Sequence, residues 1–162
     1  MDKTAISRFL IAPAAVVAFL VWRSMPGQVA NVTVRGTVIS LPNYDAAQFS
    51  SEHDLAAQPA KSLTVLESLI AAKKAKSIAN PSVTTKSGQR AVSDSGDAAI
   101  LEVQPLIARD GKTAEVRLAI VEQGHRIVSS IEVENGGTSF VGTFQNPTED
   151  TMTDYVFVRV SF

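Results

Sequence analysis

The sequence predicts a mainly β, α+β fold: an antiparallel, sandwich-like β meander with one amphipathic helix before it and an apolar segment at the N-terminus. Three observations lead there. From Ser77 onward, apolar and polar residues alternate with a period of two. Glycine-containing turns separate these runs. The one strong helical stripe, Leu63 to Lys74, lies ahead of them, so no βαβ repeat is written in the chain.

The elements follow in order. Lys3 and Arg8 precede an uncharged run from Phe9 to Trp22, which Arg23 stops. A basic flank before an apolar stretch of this length reads as a secretory signal or retained anchor, and it is short for a full span of about 20 apolar residues. Residues 1–28 are therefore assigned to a signal peptide or membrane anchor, with 9–22 as the membrane-contacting part. Residues 29–162 form the β domain, divided into a leading strand and linker (29–61) and a core (62–162). Val32, Val34 and Val38 mark a first strand from about Val29 to Leu41, ended by Pro42-Asn43. Asn43 to Pro59 is polar and alanine-rich, a loop or weak helix. Leu63, Leu66 and Ile70 then share a helical face. Pro59 suits the helix start, and Thr64 to Glu67 would make a capping box if the helix began later. Lys73, Lys74 and Lys76 complement its C-terminal dipole.

The strands come next. Asn80 to Val92 reads as strand, tight turn at Lys86-Ser87-Gly88, and strand. Ala99, Leu101, Val103 and Ile107 alternate with polar residues, and Asp110-Gly111 signals a two-residue turn. Ala114, Val116, Leu118 and Ile120 form the following run, and Ile127 to Val133 another after Gly124. Asn135-Gly136-Gly137 turns the chain into Thr138 to Phe144. A polar loop leads to a last strand, Tyr155 to Phe162.

Composition and motifs exclude most chemistry. With 162 residues, 45% hydrophobic and 19% charged, the chain can bury a real core. Fifteen Lys and Arg against 16 Asp and Glu leave a net charge of -1, which gives no footprint for nucleic acid. The absence of cysteine removes disulfides, thiolate catalysis and zinc-thiolate sites. His53 and His125 stand far apart, as a surface-loop histidine and a strand-start histidine. Asp110-Gly-Lys-Thr113 lacks the leading glycine and the helix of a phosphate loop. Asp94-Ser-Gly-Asp97 lacks the spacing of a calcium loop. The expectation is a non-enzymatic protein without metal, cofactor or evident small-molecule substrate.

One resemblance organises the remainder. The stretch around Pro81, Val83, Thr84, Thr85, Gly88 and Ala91, after an amphipathic helix, resembles the start of the secretin domain, the ring-forming channel module of type II and type III secretion and type IV pilus systems. Leu101 to Gly111, with Pro105, Asp110 and Gly111, is similar to the family's next block. Asn135-Gly136 through Gly142 is similar to a third. Together they cover roughly Leu63 to Phe162. The roles are architectural: Pro81 belongs at a strand start or edge, and Gly88 at a turn with positive φ.

The resemblance implies a bacterial cell-envelope location (periplasm, inner-membrane anchored, or outer membrane). It implies assembly or scaffolding within a protein secretion or pilus-type complex, with copies of itself or a larger secretin-type assembly as partners. The family's gate hairpins have no counterpart here, because Ser93 to Asp97 joins the first two blocks directly. Ala99 to Arg109 and Tyr155 to Phe162 are expected as edge-forming strands, with Val156, Val158, Val160 and Phe162 as the assembly face. The alternative is a membrane-anchored peptide- or ligand-binding β domain that uses an exposed sheet edge.

Overall fold

The structure, a computed structural model, describes residues 30–94, 99–122, 124–146 and 151–162. The apolar segment 1–28, the Ser95–Asp97 part of the second turn and the 147–150 part of the last loop lie outside them. Among the described residues, no helix is long and apolar enough to cross a membrane.

The described residues are mainly β, with two helices: β1 (Asn31–Pro42), α1 (Asn43–Glu52), α2 (Pro59–Ala71), β2 (Lys76–Ala79), β3 (Ser82–Lys86), β4 (Ala91–Asp94), β5 (Ala99–Ile107), β6 (Thr113–Glu122), β7 (His125–Glu134), β8 (Thr138–Gln145) and β9 (Met152–Ser161). The weak stretch after Pro42 is thus a second helix. Its pattern is faint because only Ala46 and Phe49 are buried, one turn apart. The stronger helix starts at Pro59, earlier than the Leu63 stripe suggests. Thr64 therefore lies inside it and bonds the Ala60 carbonyl instead of capping. Lys73 ends this helix in the left-handed region, with φ 59°, and its N–H donates to the Ile70 carbonyl.

Two antiparallel sheets face each other. Sheet A has five strands in the order β2-β1-β9-β8, with β3 also on β1; sheet B has four, in the order β4-β5-β6-β7. Their inner faces share one core. Val32, Val34 and Val38 of β1 and Val156, Val158 and Val160 of β9 pack against Leu101 and Val103 of β5 and Val116, Leu118 and Ile120 of β6. The outer face of sheet A is apolar at one end only, where Ile39, Leu41, Tyr155 and Phe157 bury Phe49 of α1 and Leu66 of α2. Tyr155 is fully buried, so its hydroxyl needs partners. It donates to the Ala46 carbonyl at 2.9 Å and accepts from Ser50 at 2.8 Å. Burial pushes this phenol's pKa up, while the Ser50 bond pulls it down.

β1 also shows why the sheet edge is divided. β3 pairs with its first half (Asn31 to Arg35) and β2 with its second half (Val38 to Ser40). Between them Pro81 removes a ladder donor, but its carbonyl accepts the Gly36 N–H at 2.8 Å. A Cβ at Gly36 would lie 3.1 Å from the Pro81 ring, tighter than an ordinary contact, so a side chain there would push the ring by a few tenths of an ångström.

Three expectations change. The structure is not a simple meander, because β9 returns between β1 and β8. The segment Asn80 to Val92 has the expected strands and turn, but β3 pairs in sheet A and β4 in sheet B. It is an arch between sheets, not a hairpin. The Asp110-Gly111 turn is also longer than two residues: Ala108 to Lys112 connect β5 and β6, and the Asp110 carboxylate accepts the Lys112 N–H at 2.9 Å.

The arch gives a sharp stability prediction. Gly88 has φ 83° and nothing within 4 Å of an added Cβ, so a larger residue is strained by its backbone alone. Gly88→Val should lower the unfolding free energy by about 1–2 kcal/mol. Lys86→Ala should change it by less than about 0.5 kcal/mol. Urea denaturation of both variants checks this, and equal midpoints would show that the turn carries no positive-φ requirement.

Candidate assembly surface

The residues that carry the sequence motif are scattered over the chain, yet the fold gathers most of them on one rim of the sandwich. The Gly88 N–H donates to the Pro105 carbonyl at 2.6 Å, and the Ser87 hydroxyl accepts the Ile107 N–H at 3.0 Å. The first motif block is therefore docked on the second. The Asn135 N–H donates to the Lys112 carbonyl at 3.0 Å, which joins the second block to the third. The chain enters at the same rim, where the Ala30 carbonyl accepts the Ser87 N–H at 3.1 Å. Gly88, Gly111 and Gly136 all have positive φ there, as expected from the turn chemistry.

Pro105 sits within β5 without breaking its pairing to β6. Its carbonyl points toward the β3–β4 turn, so its missing N–H would have pointed there too. Thr84 and Thr85 take opposite faces of β3: the Thr84 hydroxyl bonds the Thr33 hydroxyl at 2.8 Å outside, and Thr85 turns inward with Val83. Ala91 opens β4 opposite Val103. Gly142 lies at the bulge of β8, close to Ile127 of β7.

Asn135 does more than turn the chain. Its side-chain amide donates to the Phe162 carbonyl, and its Oδ1 accepts the Phe162 N–H at 2.9 Å. The side chain thus pairs with the last residue as a strand backbone would. The Gly136 N–H donates to the Val160 carbonyl, and the Val160 N–H donates to the Gly137 carbonyl, so the turn itself extends the β8–β9 ladder.

The last strand is not an edge. β9 pairs with β1 on one side and β8 on the other, and Val156, Val158 and Val160 are buried in the shared core, with Phe162 packed against it. β5 likewise lies between β4 and β6. The edge assignment of these two strands is corrected by that pairing: their apolar faces are core faces. The open edges are elsewhere. In sheet A, the ladder neighbour of β2 and β3 is β1 and that of β8 is β9, among the described residues.

At the opposite end of the sandwich lies a polar cluster that the motif does not include. Glu122 ends β6 and Asp154 lies in β9, and both are completely buried between the sheets. The Asn146 amide donates to both Asp154 oxygens, at 2.9 and 3.2 Å. Neither Glu122 oxygen has a hydrogen-bond partner, nor does the buried Ser40 hydroxyl beside Asp154 in the β1–β9 register. Strand phase could have found both acids. Glu122 continues the inward series Ala114, Val116, Leu118, Ile120, and Asp154 precedes the inward series Val156, Val158, Val160.

The histidines are not brought together. His53 caps the end of α1 against the Phe49 ring, at 4.6 Å between centroids. His125 opens β7 and stacks on Phe144 at 5.9 Å. No cluster of three or more acids and histidines able to hold a metal occurs among the described residues. Comparison with known proteins brings no match to a family model, to a curated protein or to a solved structure.

The Asn135 clamp predicts a measurable loss. Asn135→Ala removes two hydrogen bonds to Phe162, each worth about 0.5–1.5 kcal/mol net. Thermal unfolding should show a destabilisation of about 1–2 kcal/mol, with faster amide exchange at Phe162. An unchanged Phe162 exchange rate would show that the clamp does not hold the C-terminus.

Proposed function

We propose that this chain is a non-enzymatic, sheet-building assembly module of secretin-like character, acting in the cell envelope as part of a protein secretion or pilus-type complex. The observation that carries the proposal is the polarity of sheet A. Every neighbouring pair in it is antiparallel, so β2 and β3 at one edge run opposite to β8 at the other. A β8 edge placed beside the β3 edge of the next copy continues the same antiparallel ladder. Head-to-tail contacts of this kind close into rings when the rotation allows, and they leave neither edge of sheet A exposed. The motif strand Pro81 to Lys86 is itself one of those edges.

The devices on the edges are consistent with controlled pairing. Pro81 divides one edge into two short strands, and Lys76 and Lys86 lie at their ends. Such features discourage indiscriminate strand addition while a matched partner can still dock. Removing Tyr155 to Phe162 would take out a central strand of sheet A, and its outcome would be unfolding rather than dissociation.

Crosslinking across the proposed junction is direct, because the chain has no cysteine. Ser82, Arg35, Arg159 and Thr138 lie in one row across sheet A, with Ser82 on the β3 edge and Thr138 on the β8 edge. The full chain carrying Ser82→Cys and Thr138→Cys, treated in native membranes with a short bis-maleimide, should give a ladder of covalent oligomers. Either single variant should give none. A double variant that stays monomeric contradicts the proposal, and capture of an extended peptide by that monomer would favour the peptide-binding alternative. A dimer from Ser82→Cys alone would replace head-to-tail by isologous pairing.

A further inference from the structure

The polar cluster at the far end of the sandwich has no role in the assembly edges, and it is built like a proton-binding site. We propose that Glu122 and Asp154 form a single-proton latch, in which one proton held on Glu122 keeps the two sheets closed at this end and its loss loosens them. The two carboxyls come from opposite sheets, β6 in sheet B and β9 in sheet A, and both have 0% exposure. They are not equivalent. Asp154 accepts the Asn146 amide on both of its oxygens. Glu122 has no donor on either oxygen, so its charged form would be desolvated and unpaired beside a second negative charge.

Among the described residues, the groups around Glu122 come from four strands. Glu122 is paired in register with Ala99 of β5 and His125 of β7. Sheet A contributes Asp154 and Met152 from β9, and Ser40 from β1 in register with Asp154. The Asn146 amide is already committed to Asp154. Two groups of opposite sign lie in these pairings, and both are exposed: Lys76 of β2, in register with Ser40, and His125, whose ring stacks on Phe144. A cation bound between the acids fits less well, because the chelating edge of Asp154 is already occupied by an N–H donor.

Desolvation first, and the Asp154 charge second, raise the Glu122 pKa from 4.5 to about 7. The folded state then holds a proton that the unfolded chain has released. Stability from this group is complete below pH 4.5, falls as pH rises toward about 7, and changes no further above that. The folding equilibrium constant should drop on the order of 100-fold between pH 5 and 8 from Glu122 alone.

The test is urea unfolding of the full chain in mild detergent at pH 5, 6, 7 and 8, for the wild type and Glu122→Gln. The wild type should lose about 100-fold more in folding constant over this range than the variant. Parallel curves would overturn the latch. A carbon-13 NMR titration of the Glu122 carboxyl in the wild type decides the matter even if the variant fails to fold. A midpoint near 7 supports the proposal, and an ordinary carboxylate midpoint overturns it.

Discussion

Everything in this fold rests on the pairing of β1 with β9. The first and last described strands lie side by side over ten matched positions, from Thr33↔Ser161 to Pro42↔Met152. That pairing closes a loop of nearly the whole domain, and the entropy of closure grows only slowly with length. The return comes on both faces of the sheet. On the inner face, valines of both strands fill the core shared with sheet B. On the outer face, Ile39, Leu41, Tyr155 and Phe157 make the floor on which both helices sit. Removing this one ladder would take away the core and the helix platform together.

Placing β1 and β9 at the centre determines what is left at the margins. The chain from Lys76 to Lys86 becomes one edge of sheet A, and Thr138 to Gln145 becomes the other. The turns that leave these edges cross to sheet B, so the arch at Gly88 and the corner at Gly136 tie the two sheets at the same rim. In this architecture the motif residues space, divide and connect strands. The opposite end is closed differently, by two buried acids whose charge balance depends on one proton.

Much of this was legible in the sequence, and the reasons are specific. Period-two alternation located β5, β6 and β7, and the glycine turns at 88, 111 and 136 have the positive φ that turn chemistry requires. Alternation reports faces, however, and not neighbours. It could not say that Ser82–Lys86 and Ala91–Asp94 belong to different sheets, nor that β9 inserts beside β1. One signal for the latter was present. Asp154 to Val158 are all buried, and Tyr155-Val-Phe-Val158 lacks the polar residues of a half-exposed strand, as expected when both faces are covered. The first helix was faint because it buries only two side chains. The buried acids were missed because a carboxylate beside a turn reads as solvated unless strand phase is carried through to the last residue.

In the proposed assembly, sheet A continues from one copy to the next. Electron microscopy of the full chain, extracted from native membranes in mild detergent, tests it most directly. Closed rings are expected, in which β8 of each copy runs antiparallel to β3 of its neighbour and both edges of sheet A are covered. Isolated copies with bare β3 and β8 edges, or pairs joined through sheet B, would contradict it.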